Sequence, residues 1–291
     1  MHKSQVSTVE NPNFTVWQTE NAIYMWQICN KMRFHMATAE LLRRIAAAAA
    51  EQTLPRFRGA GAVANKQAAG FDPVTEADRE AERAIRDIIR AEFPDDGIVG
   101  EEHGVENPDA RRVWVIDPID GTRAFISGVP LWGTLVGLLE DGKAVAGLMS
   151  QPFIGELYYA TGQGAFYEGP GGARPLATRA TTSLAEASLF TTTPALFQGA
   201  LRARYDRLEA AVRLPRYGTD CYAFAMVAAG HADIAVEAGL QSYDIAGLVA
   251  LIERAGGVVS TWQGERPEAG GDIVAAATPA LHRAVLDLVG D

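Results

Sequence analysis

Only two cysteines occur in 291 residues, Cys29 and Cys221, far apart and outside any CxxC or Cys/His spacing. Neither a disulfide framework nor a zinc cage is indicated, and the cytoplasm is the expected location. Long apolar runs are also missing. The best candidates, Ile45 to Ala50 and Ala223 to Ala229, are short and alanine-rich, well below the roughly 20 residues a membrane helix needs. Positive charge is in deficit, with 26 Lys and Arg against 36 Asp and Glu and a formal net charge of -10. That balance repels nucleic acid and anionic membrane, so neither is an expected partner. An anionic substrate would need a local reversal of sign, which bound divalent cations supply economically.

What the chain does have is 48% hydrophobic content spread along its length, enough for a sizeable core. Residues 1–35 lack the basic start, apolar stretch and cleavage site of a secretory signal and read as a leader or extension outside the core. Residues 36–291 read as one compact unit, with a sheet-rich half to 175 and an α/β half from 176. Apolar and alanine positions follow a helical period from Met36 to Phe57. Glu76 to Phe93 reads as a second helix with Thr75 as its N-cap, and Ile98-Val99-Gly100 as a short strand delivering Glu101 and Glu102. Val113 to Ile116 reads as a buried strand that stops at Asp117-Pro118, because Pro and Gly end regular pairing. Further strands follow, with a hairpin signal at Glu140-Asp141-Gly142, and beyond Pro175 strand-like and helix-like segments alternate.

The acidic residues carry the chemistry. Asp117 and Asp120, at the end of an apolar strand, can converge on a hard cation, and the Ile119 carbonyl between them can add a third oxygen. Oxygen-only ligation selects magnesium or manganese over zinc. A solvated turn is the alternative, since Asp, Pro and Gly are common turn residues. His103 reads as a surface residue, because histidine does not suit such a site.

The run Asp117-Pro118-Ile119-Asp120-Gly121-Thr122 is similar to the DPxDGT signature of the inositol monophosphatase superfamily, a lithium-sensitive group of phosphatases. Gly100-Glu101-Glu102 resembles its GEE element and Asp72 to Asp78 its DxVTxxD element. Tyr243-Asp244-Ile245-Ala246-Gly247, followed by Glu253 to Gly257, resembles its WDxAG and EAGG elements. The four occur in the family's order and span nearly everything after residue 36. The resemblance implies an α/β fold layered as an αβαβα sandwich, a homodimer, and two or three magnesium ions, with manganese as a substitute and lithium as an inhibitor. By position it implies Glu101, Asp117 and the Ile119 carbonyl at a first metal site, Asp117, Asp120 and Asp244 at a second, and Glu101 and Asp78 at a weaker third. It also implies that Thr122 and Asp78 orient and deprotonate the attacking water, and that the amides of Gly121 and Thr122 cradle phosphate. Glu102 is expected beside the site rather than as a ligand, Asp72 as support, and Lys66 at the surface. No P-loop, GxSxG elbow or HExxH motif is present, so water is the nucleophile by elimination as well.

The alcohol-binding positions depart from the inositol type. Arg123-Ala124-Phe125 follows DGT where that type has threonine and asparagine, and with Gly128 to Thr134 it resembles the histidinol-phosphate phosphatase branch. Asp220 stands where the inositol type has alanine, and with Glu237 it points the same way. Histidinol phosphate carries an ammonium and an imidazole that carboxylates can pair with, whereas inositol offers only hydroxyls. The expected activity is therefore magnesium-dependent hydrolysis of L-histidinol phosphate, a step of histidine biosynthesis. The expected substrate contacts are Gly121, Thr122, Arg123, Asp220, Glu237 and Asp244, with Thr122, Asp78 and Glu101 as catalytic positions. The alternatives are an inositol-1-monophosphatase or broad-specificity phosphatase, and a non-catalytic metal- or phosphate-binding regulator. Asp220 also reads as a helix N-cap, Glu237 as a solvated strand-end charge, Arg123 as a contact to a neighbouring subunit, and Trp132 as core.

Overall fold

In a computed structural model, which describes residues 39–59, 63–65 and 73–290, helix α1 (39–53) turns Leu41, Leu42, Ile45 and Ala49 inward at helical spacing. The leader, Lys66 and Asp72 lie outside the described residues. Strands β1 (Val63–Asn65) and β2 (Pro73–Thr75) pair with each other and lead into α2 (Glu76–Glu92). The expected cap is present: the Thr75 hydroxyl accepts from Ala77 N, and Asp78 accepts from Thr75 N, which closes a capping box. Ala81, Ile85 and Ile89 of α2 join the α1 stripe in one core layer.

That layer packs on an eight-stranded sheet. Its order is β10 (Arg174–Pro175), β9 (Gly164–Glu168), β8 (Glu156–Thr161), β7 (Lys143–Gln151), β6 (Gly133–Glu140), β5 (Arg112–Asp120), β3 (Gly97–Gly100) and β4 (Gly104–Glu106). All neighbours are antiparallel except β3 and β5. Asp141 and Gly142 form the expected hairpin turn between β6 and β7, at φ 50° and 76°. One expectation is corrected. β5 does not stop at Asp117 but stays paired with β6 as far as Asp120, with a register shift between Asp117 and Asp120. Pro118 has no N–H to donate, and the irregularity absorbs that loss. The freed groups find partners: Thr134 Oγ1 donates to the Pro118 carbonyl at 2.8 Å, and Ile119 N donates to Asp117 Oδ1 at 3.0 Å.

The second sheet has the order β12 (Leu214–Tyr217), β11 (Ser188–Thr191), β13 (Ile234–Leu240), β15 (Gly271–Ala276) and β14 (Val258–Thr261), with β11 parallel to both neighbours. Helices α4 (Ala200–Ala211) and α7 (Pro279–Val289) cover its outer face through Tyr205, Leu208, Leu281 and Val285. Helices α5 (Tyr222–Ala228) and α6 (Ser242–Arg254) fill the space between the sheets with Phe224, Val227, Leu248 and Leu251. The layers therefore alternate helix, sheet, helix, sheet, helix, which is the αβαβα sandwich expected. No helix among the described residues is long and apolar enough to cross a membrane.

One contact in this stack sets the depth of the site. Gly137 and Gly147 face each other across β6 and β7, and α6 rests on them backbone to backbone. A Cβ on Gly147 would stand 2.1 Å from the Gly247 carbonyl oxygen, so no side chain fits there. Asp244 lies three residues before Gly247 on α6 and is carried down with it.

Candidate active site

A pocket of about 440 Å³ opens where β5, α5, β13, α6 and the short helix α3 (Thr122–Ile126) converge. β5 supplies Asp117, Ile119 and Asp120, the turn after β3 supplies Glu101, and the first turn of α6 supplies Asp244. Carboxylate oxygens of Asp117, Asp120 and Asp244 all lie within 4.8 Å of one another. Burial first, then the charges of Glu101, Asp120 and Asp244, pushes the Asp117 carboxyl well above the usual range. Desolvation, then Asp220 and Asp244, does the same to Asp120. Backbone amides hold two of the group in place: Cys221 N donates to Asp120 Oδ2 at 2.7 Å, and Gln241 N to Asp244 Oδ2 at 2.6 Å.

The donor chemistry fits a hard dication, because carboxylate oxygens converge with no softer ligand among them. Asp78 adds a second indication. It is buried, and its Oδ2 accepts from Thr75 N at 2.8 Å and from Thr75 Oγ1 at 2.6 Å. Its Oδ1 has no hydrogen-bond partner among the described residues. A buried oxygen left open beside an acidic cluster is what a site for water or a cation requires. Burial raises the Asp78 pKa, the Thr75 bonds oppose this, and the nearby Glu101 charge adds to it. The Thr122 hydroxyl donates to the Ile119 carbonyl at 3.1 Å. The pair expected to handle water is thus engaged locally, Thr122 with β5 and Asp78 with its own helix cap. Gly121 sits at φ 80° as the N-cap of α3, and a Cβ there would come within 3.3 Å of the Asp220 carboxyl carbon.

The adjoining wall of the pocket is acidic as well. Asp220, at φ 42°, is in the left-handed region that aspartate tolerates. It does not cap α5, whose N-cap is Cys221 with no side-chain bond; its Oδ1 accepts instead from Thr192 Oγ1 at 3.4 Å. Burial raises its pKa, while the Thr192 bond and the Arg123 charge hold it down. Glu237 is not a solvated strand-end charge. It is 3% exposed, its Oε1 accepts from Thr192 N at 2.5 Å, and burial drives its carboxyl up to about 8. Thr192 therefore joins both carboxylates, a role the sequence reading did not assign. The available signal was its place just past the end of a strand parallel to its neighbours, where ligand sites of α/β sheets form. Arg123 lines this wall, while Trp132 is buried against Phe57 and Phe125 as core. His103 is exposed, as expected, with Nε2 3.0 Å from the Arg79 carbonyl.

Fold and site together define a class: layered α/β proteins with an oxygen-only acidic cluster lining a small-molecule-sized pocket. A sequence model of the inositol monophosphatase family matches residues 36–290, and the chain belongs to that family of metal-dependent phosphoric monoester hydrolases. Histidinol-phosphatase of Chlorobaculum parvum is 38% identical over 221 residues, which are 75% of this chain and 84% of that protein. The chloroplastic bifunctional phosphatase IMPL2 of Arabidopsis thaliana is 42% identical over 199 residues, 67% of this chain, and the chain spans 56% of that relative's length. The solved structure of an inositol monophosphatase from Zymomonas mobilis superposes with a TM-score of 0.77 at 38% identity, covering 88% of this chain and 98% of that one.

Proposed function

We propose that the chain hydrolyses L-histidinol phosphate, using magnesium held by Asp117, Asp120, Asp244, Glu101 and the Ile119 carbonyl, with Asp78 at a weaker position. The observation that carries this reading is the pair of carboxylates lining the same pocket beside the acidic cluster, half-buried Asp220 and buried Glu237. A phosphate at the cluster leaves the alcohol directed toward them, and an amino-alcohol brings the ammonium and imidazole donors that such a wall accepts. An inositol ring brings hydroxyls alone and adds no positive charge beside Asp220 and Glu237.

A dication bound at the cluster supplies charge neutralisation for the phosphoryl oxygens and acidifies water in its vicinity. The remaining work falls to the chain. Asp78 Oδ1 accepts a proton from the attacking water, its basicity raised by burial. Thr122 orients that water through its hydroxyl, and the Ile119 carbonyl in turn orients the hydroxyl. Amides of Gly121 and Thr122 would receive the phosphate, and Arg123 adds positive charge to the same pocket lining. Water oxygen bonds to phosphorus, the ester P–O bond breaks, and a proton returns to the departing alkoxide. The same reading expects a cytoplasmic homodimer, with residues 36–291 as one catalytic unit.

A second reading, hydrolysis of an inositol phosphate, draws support from the solved relative at equal identity. Phosphate release from L-histidinol phosphate and myo-inositol 1-phosphate, measured with magnesium, with chelator and with lithium, separates the two. The expected kcat/KM favours histidinol phosphate by about ten-fold or more, with activity abolished by chelator. Preference for the inositol ester would overturn the assignment.

A further inference from the structure

The turn that carries Glu101 is gripped from behind. Gly100 ends β3, and Glu101, Glu102 and His103 lead into β4 at Gly104. The amides of Glu102 and His103 both donate to the carboxylate of Glu82 on α2, at 2.6 and 3.2 Å. Glu82 is fully buried and accepts from Arg86 Nε, one helical turn later, at 2.7 Å. Arg86, equally buried, donates to the Gly104 carbonyl and, at 2.8 Å, to Glu106 Oε1. The pair thus holds the turn at both ends. Gly100 provides the room, since a Cβ there would stand 2.0 Å from Glu82 Oε1.

Stability alone does not account for this arrangement. A buried ion pair costs desolvation on both partners, and apolar side chains of similar size replace such pairs with little or no loss of stability. What the pair contributes is geometric. Glu101, next to the doubly held amides, is the residue of this turn that lines the pocket, and its charge acts on Asp117 and Asp78. Asp78 lies on α2 one turn before Glu82, so a single helix registers both acids on the β5 cluster. We propose that Glu82, backed by Arg86, is a positioning residue of the active site that fixes where Glu101 meets the cation. A ligand held in its bound geometry forfeits less freedom when the ion arrives. The inference rests on the metal-site reading given above.

Two variants test it. Glu82→Asp keeps a charge opposite Arg86 but withdraws it from the amides by one methylene. The double variant E82M/R86M removes the pair and fills the space. Circular dichroism reports folding, calorimetry gives the magnesium dissociation constant, and kinetics give kcat and KM as magnesium is varied. Both variants are expected to fold, to bind magnesium about 10- to 100-fold more weakly, and to keep the substrate KM within about two-fold at saturating magnesium. Arg90→Gln, which touches Glu106 from the exposed side, is expected to leave magnesium binding unchanged. Folded variants with wild-type magnesium affinity would overturn the proposal. So would unfolding of both, which would assign the pair to the fold alone. If the unmodified protein bound no divalent cation, the metal-site reading itself would fall, a result calorimetry on that protein distinguishes at once.

Discussion

The two walls of the pocket are both acidic, and they are built on different terms. At the cluster, what raises Asp117 and Asp120 is desolvation and the charges of other carboxylates. In the adjoining wall, Asp220 and Glu237 share Thr192, and Arg123 already counters part of the charge on Asp220. The first wall calls for compact, concentrated positive charge. On the proposed reading the second receives a single diffuse cation with N–H donors. The supports differ accordingly: a strand irregularity, a hairpin turn and a helix resting on glycines fix the first, while a loop residue and a strand end carry the second.

The strongest way to break this contrast is Asp117→Asn. Turnover should fall on the order of 10³-fold or more, since several kcal/mol of charge stabilisation depend on the bound cation and each tenfold corresponds to about 1.4 kcal/mol. In chelator, however, the variant should melt above the wild type, because one of several crowded buried charges is gone, and magnesium should no longer raise its melting temperature. Wild-type turnover in this variant would remove Asp117 from the metal site. Gly147→Ala attacks the same wall from a distance. A Cβ at 2.1 Å from the Gly247 oxygen must lift α6, costing about 1–3 kcal/mol in urea unfolding and weakening magnesium binding through Asp244. Asp220→Asn addresses the other wall. It should cost about 10- to 100-fold in kcat/KM for histidinol phosphate, matching the roughly 1.5–3 kcal/mol of a hydrogen bond to a charged group. The loss on p-nitrophenyl phosphate, which reports only what the Asp220 charge does to Asp120, should be much smaller. Equal losses on both substrates would mean that Asp220 serves the cluster rather than the alcohol.

How much of this the sequence disclosed follows from how local each signal is. The start of α2 was readable because Thr75 and Asp78 cap it within one turn, and the β6–β7 hairpin because Asp141-Gly142 suits the left-handed turn. The cluster was readable because Asp117 and Asp120 share one strand end and the resemblance supplied Asp244, which the fold brings beside them. The strand through Pro118 was not, since a proline argues against pairing unless a bulge, invisible in the sequence, takes it up. Nor was the contact of Gly137 and Gly147 with Gly247, which joins positions about a hundred residues apart by backbone approach alone. Thr192 and Glu82 act through hydrogen bonds across 28 or 45 and 20 or 21 residues. Their types carry no mark of that use, and a helix cap stays open for Asp220 in the sequence until its side chain is found on Thr192.

The subtlest effect should come from Glu237, and its sign is fixed by linkage. The carboxyl stands at about 8 in the fold against an ordinary 4.5, so between those values the folded state retains a proton that the unfolded chain has released. Its contribution to stability is therefore complete below about 4.5, declines as pH rises, and levels off above about 8. Glu237→Gln, which still offers an oxygen to Thr192 N, should match the wild type in urea midpoint at pH 5 in chelator and exceed it at pH 9. The same titration separates the substrates. A ligand bringing an ammonium to this wall gains as Glu237 ionises, so the KM for histidinol phosphate should fall as pH rises from 6 to 8 and that for inositol phosphate should not. Parallel KM profiles for the two esters would show that the alcohol does not meet Glu237, and the second wall would then have no claim on specificity through that residue.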